Sequence, residues 1–295
     1  MAGDLNVTWI HGAPNHCASS TERPIQVHRY DADTFILRQS KCSEPGTPVK
    51  PGPSFEAPFM YLMIGRSRAL LLDTGASRSP QRLPLAETVI GLLGEHAATR
   101  ATPPVPLVIA HSHSHPDHIA GDRQFDRVAD ATIVPPNLAG VKSVFELRRW
   151  PEAAAEFTLG DRTLDVIAIP GHEESHIAIY DRNTELLLTG DTLYPGLLVV
   201  YDWPQYVRSI ARLKQFVDAR PVSFILGAHI EMTNQPGRWF GLGALFQPGE
   251  HVLQLQTAHL TELNDALQAI GPRPRTDRHA DFIIHPANLP LPPDP

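Results

Sequence analysis

The sequence predicts a layered α/β protein with sheets inside and helices outside. Three observations predict it. The first third is dominated by short apolar runs bounded by turn residues. Later runs alternate with stretches of helical periodicity. The composition, 42% hydrophobic and 19% charged, is ordinary for a globular chain. At 295 residues the chain can bury a substantial core as one large domain or two small ones.

Residues 1–25 are polar and irregular, and 26–40 read as two short strands around Asp31-Ala32-Asp33. Residues 43–57 carry Pro45, Pro48, Pro51 and Pro53 with Gly46 and Gly52, a loop by composition. An apolar hairpin follows. Phe59 to Ile64 and Ala69 to Leu72 flank the turn Gly65-Arg66-Ser67, and the second arm ends in Asp73-Thr74-Gly75. Leu85, Val89, Leu92 and Leu93 give 84–96 a helical period, and Pro103-Pro104 then breaks the chain. Residues 106–110 form a short buried strand running into a histidine-rich loop. Further strands are expected at 131–134, 163–169, 176–180, 185–189 and 222–226, and helices at 138–149, 204–218 and 249–269. The proline-rich end reads as an extended tail. These boundaries divide the chain into an irregular segment 1–25, a domain 26–271 and a tail 272–295. No repeat of fixed period is found, and the order alone fixes no strand pairing.

The formal net charge is −7 and no Lys/Arg-rich block is present, so neither nucleic acid nor a membrane surface is expected as a partner. No apolar run is long enough to span a bilayer, and the first residues lack a basic start followed by an apolar core. The cytoplasm is therefore the expected compartment. Cys17 and Cys42 can form one bridge, but two free thiols are the favoured reading for a reducing compartment.

The strongest signal is His111-Ser112-His113-Ser114-His115-Pro116-Asp117-His118, placed directly after the strand Val108-Ile109-Ala110. Residues two apart in an extended segment project to one side, so His113 and His115 can reach one ion together. Asp117 and His118 follow a turn and can face a second. Imidazole nitrogen and carboxylate oxygen are zinc donors at about 2.0–2.2 Å. Three more candidates each follow a strand, with a glycine one or two residues earlier: His172, Asp191 and His229. Ligands delivered from the ends of several strands can converge on one sheet edge. His111 exceeds the needs of one tetrahedral site and reads as a neighbour of the ligands. His176, Glu173 and Glu174 read as packing or solvated residues, and His11, His16 and Cys17 lack the second pair a zinc finger needs.

With these motifs the chain resembles the metallo-β-lactamase-fold hydrolase superfamily. The resemblance rests on His113-x-His115-x-Asp117-His118, Pro170-Gly171-His172, Gly190-Asp191, Gly227-Ala228-His229 and the early Asp73-Thr74-Gly75. It implies an αββα sandwich of two facing mixed sheets with the site at one edge. It also implies two Zn2+ per chain, with His113, His115 and His172 on the first ion, Asp117, His118 and His229 on the second, and Asp191 bridging. Asp73 would support the ligands from behind, and Asp117 would orient the attacking water.

The implied activity is a dinuclear metallohydrolase in which a bridging hydroxide attacks an ester, thioester or lactone of a small molecule. Asp191 sets the chain apart from true β-lactamases and resembles the glyoxalase II and lactonase branch. Tyr194 matches the place of a tyrosine that donates to substrate in some lactonases. A β-lactamase or small phosphodiesterase is the alternative on the same site. An iron redox centre of flavodiiron type, or a non-catalytic metal-binding protein, is the alternative from another class. A homodimer is compatible with all of these.

Overall fold

The structure, a computed structural model, describes residues 3–44 and 52–293. It divides into two compact units. Unit 1 comprises Met1–Pro136, Thr158–Thr163 and Gly243–Phe246; unit 2 comprises Asn137–Phe157, Leu164–Leu242 and Gln247–Pro295.

Unit 1 is built on β1 (Ile25–Arg29), β2 (Thr34–Gln39), β3 (Phe59–Ile64), β4 (Ala69–Leu72), β5 (Leu107–Ala110) and β6 (Ala131–Ile133), hydrogen-bonded in chain order. The first four strands pair antiparallel; β4–β5 and β5–β6 pair parallel. β2, β3 and β4 are buried along their whole length, which is why they read as unbroken apolar runs rather than as alternation. Helix α1 (Leu85–Arg100) sets Leu85, Val89 and Leu93, spaced four apart, into a core with Leu37, Leu62, Leu71 and Ile109. Each such side chain contributes roughly 1.5–3 kcal/mol on burial. The short helix α2 (Pro116–Ile119) follows β5, with proline in its first turn.

Unit 2 contains β7 (Ala155–Thr158), β8 (Thr163–Ala168), β9 (Ile177–Asp181), β10 (Leu186–Gly190), β12 (Phe224–Gly227) and β13 (Gln254–Leu255) in a sheet of order β13-β12-β10-β9-β8-β7. β10 and β12 run parallel there. A second sheet has the order β11-β15-β14, from β11 (Leu197–Val200), β14 (Asp277–Arg278) and β15 (Ile283–Pro286). Helices α3 (Leu138–Val144), α4 (Trp203–Asp218) and α5 (Thr257–Ile270) complete the unit. Tyr206, Ile210 and Leu213 of α4 and Leu260, Leu263 and Leu267 of α5 share a core with Ile167, Leu187 and Ile225. Asp202 caps α4, its carboxylate accepting from the Gln205 N–H at 3.0 Å.

Four expectations are corrected. The helix expected at 249–269 begins only at Thr257, because Leu253 and Leu255 alternate as a strand does and Leu255 pairs with Ile225. The helix expected at 138–149 stops at Val144, and Glu146 has a left-handed φ of 53°. Residues after 271 are not an extended tail: Ile283 and Ile284 pair in parallel with Leu197 and Leu198, and Phe282 is fully buried. Cys17 and Cys42 are bonded, their Cα atoms 5.3 Å apart. Such bonds persist in oxidising surroundings, so the cysteines no longer support a cytoplasmic location. Of the proline-rich loop, Pro45, Gly46, Pro48 and Pro51 lie outside the described residues; Pro53–Glu56 form a 3-10 turn. No helix among the described residues is long and apolar enough to cross a membrane.

Candidate metal centre

In unit 1, β4 and β5 end side by side and present the Asp73 turn next to the histidine loop. Asp73 N–H donates to the Ala110 carbonyl at 2.8 Å. Its φ of 69° is left-handed, a region that aspartate enters more readily than most residues. The buried carboxylate accepts from Ser112 N–H at 2.7 Å and Ser112 Oγ at 2.9 Å, and lies 3.0 Å from His118 Nδ1. A carboxylate only accepts here, so Nδ1 carries the proton and Nε2 of His118 is the nitrogen that could meet a metal. Asp117 Oδ2 stands 3.1 Å from that Nε2. The His113 ring lies 4.0 Å from the His118 ring and 4.5 Å from the His115 ring, centroid to centroid. His113 and His118 are buried; His115 and Asp117 are half-buried.

Thr74 and Gly121 explain why the two segments close on each other. Thr74 donates its N–H to the His118 carbonyl at 2.7 Å, and its Oγ lies 3.1 Å from the same oxygen. A Cβ on Gly121 would stand 2.3 Å from the Thr74 carbonyl oxygen, so only glycine fits. His111 turns to Asp122, with Nε2 2.8 Å from its Oδ1. Burial, and secondarily the Asp73 charge, pushes the Tyr61 phenol well above its usual range.

In unit 2, β8, β10 and β12 deliver His172, Asp191 and His229 just beyond their C-terminal ends. The parallel register brings Gly190 opposite Gly227, and the Ala228 N–H donates to the Gly190 carbonyl at 3.0 Å. Gly171 has φ 144°, and a Cβ there would sit 2.5 Å from the Tyr206 backbone. His172 Nδ1 faces the Val199 carbonyl at 2.7 Å, which again turns Nε2 outward. The two oxygens of Asp191 each meet one imidazole. Oδ1 lies 3.3 Å from His229 Nε2, and Oδ2 lies 3.7 Å from His172 Nε2.

These spacings test whether a metal fits. Two donors each about 2.0–2.2 Å from one tetrahedral ion stand about 3.3–3.6 Å apart. The Asp117–His118, Asp191–His229 and Asp191–His172 separations of 3.1, 3.3 and 3.7 Å bracket that edge. The donor set is hard oxygen plus borderline nitrogen, which suits zinc and its divalent neighbours.

Tyr194, expected from the resemblance to face substrate, lies beside His229. Its hydroxyl donates to the Leu197 carbonyl at 2.7 Å and stands 3.1 Å from Glu231 Oε2, while its ring edge packs on His229. In this arrangement the one hydroxyl proton goes to one of these two acceptors. The sequence reading missed Ser112, Val199 and Glu231. Ser112 has a signal: it alternates with His111 and His113, so it must face the opposite side, toward Asp73.

The strand ends carry His/Asp clusters that could hold a metal ion. The chain belongs to the metallo-β-lactamase superfamily, whose family model matches residues 54–229. It is 30% identical over 204 residues to acyl-coenzyme A thioesterase MBLAC2 of Bos taurus, covering 58% of this chain and 72% of that protein. It is 27% identical to a hydroxyacylglutathione hydrolase of Yersinia pestis, covering 56% of this chain and 60% of the other. Among solved structures, a metallo-β-lactamase from Pontibacter korlensis superposes with a TM-score of 0.50 at 16% identity, covering 83% of this chain and 99% of the other. One from Hirschia baltica gives 0.51 at 11%, covering 70% and 91%. Both share the fold: two large mixed sheets and few helices.

Proposed function

We propose that this superfamily hydrolase cleaves a small-molecule thioester with two zinc ions. His113, His115 and His172 form one ligand group, and Asp117, His118, Asp191 and His229 the other. One observation carries the reading: each Asp191 oxygen faces a different histidine at a distance that would let the carboxylate share ions with both. The thioesterase and hydroxyacylglutathione hydrolase relatives favour a thioester over a lactone or β-lactam.

Bound at these donors, a zinc pair supplies a hydroxide nucleophile near neutral pH and polarises the substrate carbonyl. Asp73 holds the His118 ring in one tautomer, and the Val199 carbonyl does the same for His172. Asp117, half-buried at the start of α2, would accept a hydrogen bond from the attacking water besides binding metal. The strand ends fix these groups before substrate arrives, so little reorganisation accompanies reaction.

The test is a substrate panel on zinc-loaded protein: a thioester, a lactone, a β-lactam and a phosphodiester. The reading predicts that the thioester has the highest kcat/KM and that His115→Ala abolishes turnover in a folded protein. Full activity in metal-stripped protein refutes it.

A further inference from the structure

Unit 1 holds a cleft of about 710 Å³ that begins at Asp117. Its apolar lining includes Phe55, Ala76, Pro116, Ile119 and Ala120, and two arginines, Arg78 and Arg123, also line it. Both guanidiniums belong to exposed residues, and among the described residues neither has an ion-pair partner. Four acids also line it, Glu44, Glu56, Asp117 and Asp122, and among the described residues none is ion-paired with either arginine. Asp122 Oδ1 accepts from Thr74 Oγ and faces His111, both at 2.8 Å, and Glu44 accepts from Ser77 Oγ. Asp117 is a proposed metal ligand.

A largely apolar cleft lined by Asp117, with two arginines that have no ion-pair partner in its wall, fits a particular kind of ligand. It fits a chain with an apolar stem and a terminal anion. Arginine presents a planar fork that matches carboxylate and phosphate alike. We propose that the substrate lies in this cleft and that Arg78 and Arg123 read an anionic group on it, carboxylate or phosphate, remote from the scissile bond. The inference rests on the thioesterase reading for its chemistry, but its binding arm is independent of turnover. Arg78 and Arg123 are specificity residues: they touch the substrate's far end and leave the reacting atoms alone.

The test uses Arg78→Gln, Arg123→Gln and the double variant. Three matched S-hexyl thioesters serve as substrates: one tipped with carboxylate, one with phosphate, one with a neutral hydroxyl. Each arginine removed raises KM for an anionic substrate roughly tenfold, with kcat unchanged and the neutral substrate unaffected. The corresponding S-hexyl thioethers are titrated into metal-free protein by calorimetry, where the double variant weakens anion binding by a similar factor. Whichever anion binds the wild type more tightly identifies the group read. If the double variant binds both anionic thioethers as the wild type does, the assignment is overturned. It is also overturned if KM for the neutral substrate rises equally, because the arginines then act by packing. If the wild type hydrolyses no thioester while the binding loss is seen, the thioesterase reading falls and the cleft assignment stands.

Discussion

Replacing Asp73 with asparagine changes the partner of one candidate ligand imidazole and also takes an acceptor from the Ser112 hydroxyl. Asparagine is nearly isosteric with aspartate and shares its tolerance of positive φ, so the turn at 69° keeps its shape. The amide oxygen can still accept from the Ser112 N–H, now 2.7 Å from Oδ1. The amide nitrogen then replaces Oδ2, 3.0 Å from His118 Nδ1, and it donates. His118 must switch its proton to Nε2 to accept that bond, or lose it. Nε2 is the nitrogen 3.1 Å from Asp117, and a protonated Nε2 cannot ligate. Outer-shell changes of this kind typically cost about 10–100-fold in metal affinity. The two ligand groups should separate: the ion held with His118 weakens, and the ion held with His113 and His115 is retained. Competition with a chelator, read as stoichiometry against free zinc, resolves two steps in the variant. Thermal unfolding of the metal-free protein checks that the fold is intact. Unchanged affinity at both sites refutes the tautomer argument.

Three further outcomes follow from other parts of the structure. Gly171→Ala places a Cβ 2.5 Å from the Tyr206 backbone at a φ of 144°, so it should destabilise by about 3 kcal/mol or more and lower metal retention through His172; an unchanged unfolding midpoint contradicts this. Burial pushes the His285 imidazole below its usual range. The unfolded chain therefore takes up that proton first, and this residue's contribution is full above about pH 6.5 and declines as pH falls below it. His285→Gln should flatten the loss of unfolding free energy between pH 7 and 5 relative to wild type, and equal slopes count against it. Cys42→Ser removes a bridge of sequence separation 25, which chain-entropy reasoning values at about 3.5 kcal/mol, measured by denaturant unfolding.

Much of the candidate site was legible because its residues are local. Ligands within six residues of one loop, and three residues just past strand ends with glycines nearby, announce themselves by spacing. The hairpin at 59–72 was legible for a similar reason: both arms are fully buried, and the turn lies between them. What escaped depends on partners far along the chain. Ile283 and Ile284 look like part of a proline-rich tail until β11, some 86 residues earlier, offers them a parallel edge. Leu253 and Leu255 fit a helix as well as a strand, and pairing with Ile225 decides between them. The position of Tyr194 relative to Asp191 says nothing about where its hydroxyl points; in the structure it meets the Leu197 carbonyl. Cysteine pairing across 25 residues was likewise a matter of where two turns come to rest.

In the proposed centre seven side chains would share two ions through Asp191. X-ray absorption at the zinc edge, on protein loaded to saturation, measures this most directly. Two zinc per chain with a metal–metal scattering path at about 3.5–4 Å is the predicted result, and that path should vanish in Asp191→Ala. Saturation at one zinc per chain, or two zinc with no such path in the wild type, would contradict it.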